Sequence, residues 1–381
     1  MMSVAGLEGI VATQSAISSI LDGILTYRGI NIDELAEQAS FEEVLYLLWN
    51  DNLPNEKQLA ELKAKLAYHG KLPDEMVSLL QSFPKDAHPM TMLRTALSAL
   101  EMFDPDANDM SQEANRRKAL KIQAKISSVV AAIQRVREGK DLIPPNPEYG
   151  FAQNFLYMLS GKNPDEISIK SLDTALVLHA DHELNASTFS SRVTVATLAN
   201  IYSGIVSAVG TLSGPLHGGA NEAVMNMLEE IGQMDQVDSY IGQKLTSKSK
   251  IMGFGHRVYK TGDPRAKFLK RMSQQLTTLT GQSTWYNMSV RIEEILLREK
   301  GLLPNVDFYS ASMYHSLGIS RELFTPIFAV SRTSGWTAHI LEQYENNRLI
   351  RPRAEYIGSN LRPYIPMEQR SINQSGDAGL C

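Results

Sequence analysis

Four of the chain's eight histidines, His179, His182, His217 and His256, crowd its centre, each beside turn or polar residues. Imidazole gains and loses a proton near neutrality, so such a group can bind metal, move protons or polarise a substrate. His179 and His182 lie in Leu178-His-Ala-Asp-His-Glu-Leu-Asn185. That spacing puts both rings on one helical face, as a zinc pair or as hydrogen-bonded helix histidines. The order is not H-E-x-x-H, so the metalloprotease pattern fails and no metal site is assigned. His217 lies in Ser213-Gly-Pro-Leu-His-Gly-Gly-Ala-Asn-Glu222. Its glycines permit a tight turn and close approach by a ligand or another helix; a loop histidine without a role is the plain alternative. His256 lies in Lys250-Ile-Met-Gly-Phe-Gly-His-Arg-Val-Tyr-Lys260, with Asp263-Pro-Arg265 just beyond. Glycine-exposed N–H groups beside Arg257, Lys260 and Arg265 suit a phosphorylated or carboxylated ligand. A solvated basic turn would read the same. The segment is neither a G-x-x-x-x-G-K-[ST] loop nor a G-x-G-x-x-G fingerprint.

Asp307 stands between Val306 and Phe308-Tyr309. A lone carboxylate among apolar neighbours has a raised pKa and suits a general base; a helix N-cap is the alternative. Arg332, in Ser331-Arg-Thr-Ser, and Arg351 and Arg353, in Leu349-Ile-Arg-Pro-Arg, can each clamp a carboxylate bidentately. There is no G-x-S-x-G elbow, and the single cysteine, Cys381, is the last residue. Serine-esterase, cysteine-nucleophile, intrachain-disulfide and cysteine-metal readings therefore have no support.

The elements that must position these groups read as helices. Phe41, Val44, Leu45, Leu48 and Trp49 share one helical face, and Ser40 with Glu43 has the capping-box spacing. Leu323, Ile327 and Val330 repeat the pattern, with Pro326 expected to kink the run or mark its first turn. Alternation is rare; Ile17, Ile20, Ile24 and Leu25 around Asp22-Gly23 predict a small β-hairpin. Breaks fall at Asp141–Pro147, Ser213-Gly-Pro, Gly262-Asp-Pro and Leu303-Pro-Asn305. The rest predicts an all-α protein. Val193 to Ser213 carries no charge and is long enough for a bilayer. Its threonines, serines, asparagine and small residues predict instead a buried helix, at a subunit contact.

The 381 residues, 43% hydrophobic and 21% charged, allow a sizeable core and two domains. A formal net charge of -5 gives no reason to expect nucleic acid as a partner. Cysteine usage fits a reducing cytoplasm. The opening MMSVAGLEGI shows no basic region followed by a long apolar run, so no signal peptide is expected. The polar tail from Ser371 to Cys381 is expected to be disordered.

Together and in this order, HADHELNAST from His179, GPLHGGANE from Gly214, KIMGFGHRVYKTGDPR from Lys250, PNVDFYS from Pro304, SRTSGW from Ser331 and RLIRPRAEYIG from Arg348 resemble the citrate synthase family. The openings GLEGIVATQSAIS and LTYRGINIDELA are similar to the family's too, and the length resembles its short bacterial and archaeal members. The resemblance implies a multi-helical two-domain fold: a large domain of residues 1–218 and 318–381, and a smaller closing domain of residues 219–317. It implies a homodimer, condensation of acetyl-CoA with oxaloacetate, and no metal or other cofactor. By the same resemblance, Asp307 would remove a methyl proton, His217 would stabilise the enol and His256 would polarise the ketone. His182, His256, Arg265, Arg332 and, from the other subunit, Arg351 would bind the oxo acid. Ser249, Lys250, Ile251, Met252 and Gly253 would contact CoA, with Lys260 near a phosphate. The nearest alternative is a 2-methylcitrate synthase using propionyl-CoA; Leu216 and the AVMNML run look more like citrate synthases. An idle helical dimer that only binds CoA or a partner is the alternative of another class. One departure is Gly70, where many relatives have arginine before Leu-Pro; His69 or Lys71 would serve instead.

Overall fold

The computed structural model describes residues 5–7, 9–255, 259 and 262–370. His256, Arg257, Lys260 and the tail from Ser371 to Cys381 lie outside the described residues. The chain divides into two compact units, Gln14–Ile350 and a terminal one of Met1–Thr13 with Arg351–Cys381. Within the terminal unit the described chain holds only two single 3-10 turns, Ala5–Leu7 and Met367–Gln369, and Arg351 and Arg353 are exposed.

Sixteen α-helices and one three-stranded antiparallel sheet are present among the described residues, so the all-α reading with a small N-terminal hairpin is borne out. Strands β1 (Ser18–Leu21) and β2 (Ile24–Tyr27) pair through Leu21 and Ile24 around the predicted Asp22-Gly23 turn. Asp22 and Gly23 both have positive φ, 52° and 79°. That pair matches the right-handed twist of the strands it joins. A third strand, β3 (Ile30–Asn31), extends the sheet.

Ser40 caps the Phe41–Asn50 helix as its spacing predicts: the Ser40 N–H donates to Glu43 Oε2 at 2.7 Å and Glu43 N–H returns to Ser40 Oγ. Phe41, Val44, Leu45 and Leu48 are fully buried. They face the Phe324–Glu345 helix, which runs buried through the centre of the main unit. Pro326 is the third residue of that helix, where a missing N–H leaves no bond unmade. Trp49 Nε1 donates to Thr337 Oγ1 on it at 2.9 Å.

The uncharged run is not one helix. It divides between Ala186–Val195 and Ile201–Leu212, with Leu198 at φ 66° between them. Asn200 starts the second helix by accepting the Ser203 N–H at 3.1 Å. Among the described residues no helix is long and apolar enough to cross a membrane. The small residues serve close packing: a Cβ on Gly204 would stand 2.6 Å from Val195 Cγ1 and 2.9 Å from Ile340 Cδ1. Three helices therefore meet at the width of a backbone.

Candidate active site

The turn 180–185 is pressed against the central helix. Gly335 N–H donates to Ala180 O at 3.1 Å, and a Cβ there would fall 2.3 Å from Asp181 Oδ1. Only glycine admits that approach. Asp181 is fully buried, accepts Ser18 Oγ at 2.5 Å and pairs with His339 Nε2 at 3.3 Å. Burial works against its charge, yet His339 and Arg332 hold it below the usual carboxylate range. The helix Glu166–His179 ends at His179, so His179 and His182 do not share a helical face as their spacing predicted. Past that end the chain leaves the helix, and the Ala180 carbonyl accepts the Gly335 N–H of the central helix. His179 binds Ala175 O through Nδ1 at 2.7 Å, and burial lowers it to about 3. His182 Nε2 meets Tyr259 OH at 3.1 Å. The described residues hold no cluster suited to a metal ion.

Arg332 is buried on the central helix. Its Nε donates to His179 O at 2.8 Å and its guanidinium lies 4.7 Å over the Phe328 ring. No carboxylate among the described residues lies within salt-bridge distance of it, and burial lowers it to about 10. A buried cation that no carboxylate pairs is costly to hold, and its remaining N–H groups can receive an anion. Arg265 differs. It is locked bidentately to Asp263, Nε to Oδ1 at 2.9 Å and Nη2 to Oδ2 at 2.8 Å. Asp263 also accepts the Val306 N–H at 3.1 Å, at the start of the Val306–Ser316 helix.

Asp307 is the second residue of that helix. Asn305, not Asp307, is the cap, accepting the Asp307 N–H at 3.0 Å. The carboxylate is left to the site. Burial raises it to about 6, with Arg265 and Arg332 opposing that rise and Asp263 adding to it. His217, half-buried, receives the Ser187 N–H on Nε2 at 3.3 Å and has Ser187 Oγ at 2.7 Å from the same nitrogen. A peptide N–H only donates, so Nε2 acts as acceptor and Nδ1 carries the ring proton. Burial, helped by Arg332, lowers His217 to about 4, leaving it neutral at pH 7.

The stretch Ser249–Gly253 leads into this site. Ser249 and Lys250 are exposed, while Gly253 is buried at φ 82°. A Cβ on Gly253 would meet Phe308 and Val224 side chains at 2.8 Å each. Residues 253–255 run antiparallel to 303–305: Asn305 N–H donates to Gly253 O at 2.9 Å and Gly255 N–H to Leu303 O at 3.2 Å. His69 and Lys71, the expected substitutes at the Gly70 departure, line a separate cavity with Lys121 and Lys125.

The structure thus gathers His182, His217, Arg265, Asp307 and Arg332 in one unit and places Arg351 in the other. The sequence reading missed Asp181, Ser187, Asp263 and Trp336. Only Asp263 carried a local signal, standing two residues from Arg265; Asp181 and Trp336 act through partners over a hundred residues away, and Ser187 joins Trp336, 149 residues on, to His217, 30 residues on.

A model described as citrate synthase, C-terminal domain, matches residues 6–353. Citrate synthase 2 of Bacillus subtilis is 59% identical over 372 residues, 97% of this chain and all of the relative. 2-Methylcitrate synthase 2 of Corynebacterium glutamicum stands further off, at 39% over 96% of this chain and 97% of its own length. The solved ternary complex of Thermoplasma acidophilum citrate synthase with carboxymethyl coenzyme A and oxaloacetate superposes with a TM-score of 0.90 at 33% identity, covering 96% of this chain and 98% of that one. The family read from the motifs is borne out, and the chain belongs to the citrate synthase family of acyltransferases.

Proposed function

We propose that the enzyme joins the methyl carbon of acetyl-CoA to the ketone carbon of oxaloacetate and hydrolyses the citryl thioester to citrate and CoA. The observation that carries this reading is the placing of Asp307, at the start of its helix and free of the cap, and of His217, held on Nε2 by Ser187, in the field of the buried Arg332, which has no salt bridge among the described residues. A thioester α-proton is weakly acidic, so its removal needs the nascent enolate oxygen to be stabilised at once. Asp307 takes that proton and His217 Nδ1–H donates to the thioester oxygen. The enol carbon then attacks the ketone, whose oxygen takes a proton from His256. Water finally cleaves the thioester, releasing CoA as the thiol.

In this reading Arg332, Arg265 and His182 bind the oxo acid with His256, and Ser249–Gly253 and Lys260 hold CoA. Arg332 has no salt bridge among the described residues; Arg265 already shares Asp263, so its part is to orient rather than to neutralise alone. Residues 219–317 close over residues 1–218 and 318–381, and closure keeps water out until the carbon–carbon bond exists. The packing of the Ala220–Ile231, Ala266–Leu279, Ser283–Lys300 and Val306–Ser316 helices on one another supports that division. Acetyl-CoA is favoured over propionyl-CoA because the relatives named citrate synthase stand nearer. Steady-state rates with both thioesters test it. An extra methylene should cost about 10–200-fold in kcat/KM, and a preference for propionyl-CoA would overturn the acyl assignment.

The same reading makes the enzyme a cytoplasmic homodimer in which Arg351 completes the other subunit's site; its exposed, proline-flanked segment supports this. Arg351→Ala and His217→Ala should each be nearly inactive. Subunit exchange between them should restore activity, because one site of each mixed dimer then holds both residues. Inactive mixed dimers, with exchange demonstrated, would remove Arg351 from the site.

A further inference from the structure

We propose that Trp336 is a positioning residue of this reaction: its indole N–H fixes the Ser187 hydroxyl against His217 and so keeps the ring proton on Nδ1. The inference rests on His217 as donor to the thioester oxygen.

Trp336 and Ser187 are both fully buried, and Trp336 Nε1 donates to Ser187 Oγ at 3.0 Å. A hydroxyl has one proton and two lone pairs. The indole fills one lone pair, and it can only donate. Two neighbours then face the hydroxyl: His217 Nε2 at 2.7 Å and Asn185 Oδ1 at 2.8 Å. The Asn185 oxygen is identified by the Thr188 N–H it accepts at 3.1 Å, so it can take the Ser187 proton but cannot give one. One proton thus has two acceptors to choose between.

The Ser187 peptide N–H decides the choice. It points at His217 Nε2 from 3.3 Å, and would oppose a proton placed there. With Nε2 bare, that nitrogen accepts both the peptide and the hydroxyl, while Asn185 keeps the Thr188 N–H. Without the indole N–H, a buried lone pair on Ser187 is left unfilled and the side chain can leave its staggered well. Turned the other way, the hydroxyl offers a lone pair to Nε2 and pulls the ring proton toward it, in competition with the Ser187 peptide N–H that still opposes a proton there. His217 would then present a lone pair, not a proton, to the developing oxyanion. Trp336 and Arg332 are four residues apart on one buried helix, one above the other on the same face. A single rigid element would therefore hold both the oxo-acid cation and the group that steadies Ser187 against the histidine.

The cleanest test replaces Trp336 with β-(3-benzothienyl)alanine, which keeps the shape and has sulfur in place of N–H; Trp336→Phe is the genetic counterpart. Nitrogen-15 spectra of His217 in the resting enzyme should move toward the Nε2–H pattern. kcat should fall about tenfold, a fraction of what a proton donor contributes, with both KM values within about twofold. In a Ser187→Ala background the same replacement should change neither the spectra nor kcat further, since contacts acting through one residue are not additive. Unchanged His217 spectra, or a full additional loss in the Ser187→Ala background, would overturn the proposal. The spectra are read without substrate, so they separate this inference from the role of His217. Undiminished turnover in His217→Ala would instead sink the functional reading itself.

Discussion

Asp307→Asn is expected to lower kcat by about 10²–10⁴-fold while both substrates still bind, the range for losing a general base. Asparagine keeps the shape and the position after the Asn305 cap, and removes only the basicity. Asp307→Glu keeps a base but moves it by one methylene, and near-attack geometry tolerates that poorly; about a 10²-fold loss is expected. In deuterated water, with an oxaloacetate analogue that cannot condense, wild-type enzyme should wash deuterium into the acetyl methyl and the Asn variant should not. Exchange at the wild-type rate in that variant would assign the base elsewhere. The pH dependence follows from the group's position at about 6. The base must be ionised, so kcat/KM should hold above that pH and fall tenfold per unit below it. Stability runs the other way. A carboxyl whose folded pKa is raised favours the fold below its unfolded pKa near 4, and that contribution is lost as pH rises through about 6. At pH 7 the Asn variant should accordingly be more stable than wild type by about 1–3 kcal/mol, with little difference at pH 4.

Arg332→Gln should raise the KM for oxaloacetate about 10²-fold, close to 3 kcal/mol for one charge-assisted bidentate contact. Lysine in its place keeps the charge but loses the fork, and should recover only part of that affinity. The second signature is thermal. In the free enzyme Arg332 is a buried cation without a salt bridge among the described residues, so glutamine should raise the melting temperature. Saturating oxaloacetate should then stabilise wild type strongly and the variant hardly at all. A variant that melts lower than wild type and still gains the full shift from oxaloacetate would show that Arg332 holds structure and not substrate.

What the sequence made legible was local. Ser40 with Glu43, and Asp22-Gly23, act through atoms a few residues apart, and both formed as their types require. Asp307 was legible as a carboxylate raised by its surroundings because its apolar neighbours are adjacent in the chain. The uncharged run read as one helix because its composition is continuous; the break at Leu198 is set by Asn200, a cap hidden among other small polar residues. The His179–His182 pair misled for a similar reason. A helical period presumes a helix, and this one ends where Gly335, 155 residues later, accommodates the turn. Ser187 and Trp336 had no signal at all, since their meaning is a contact between distant helices.

The pairing of residues 253–255 with 303–305 has a practical consequence for anyone recasting this enzyme toward other thioesters. The glycine segment and the loop that starts the Asp307 helix share hydrogen bonds in both directions, and Gly253 is wedged against Phe308. A transplanted glycine segment would therefore drag the Asp307 carboxylate out of alignment unless residues 303–308 travelled with it. The two segments form one exchangeable cassette, and selection for a new acyl chain should accumulate changes in both or in neither.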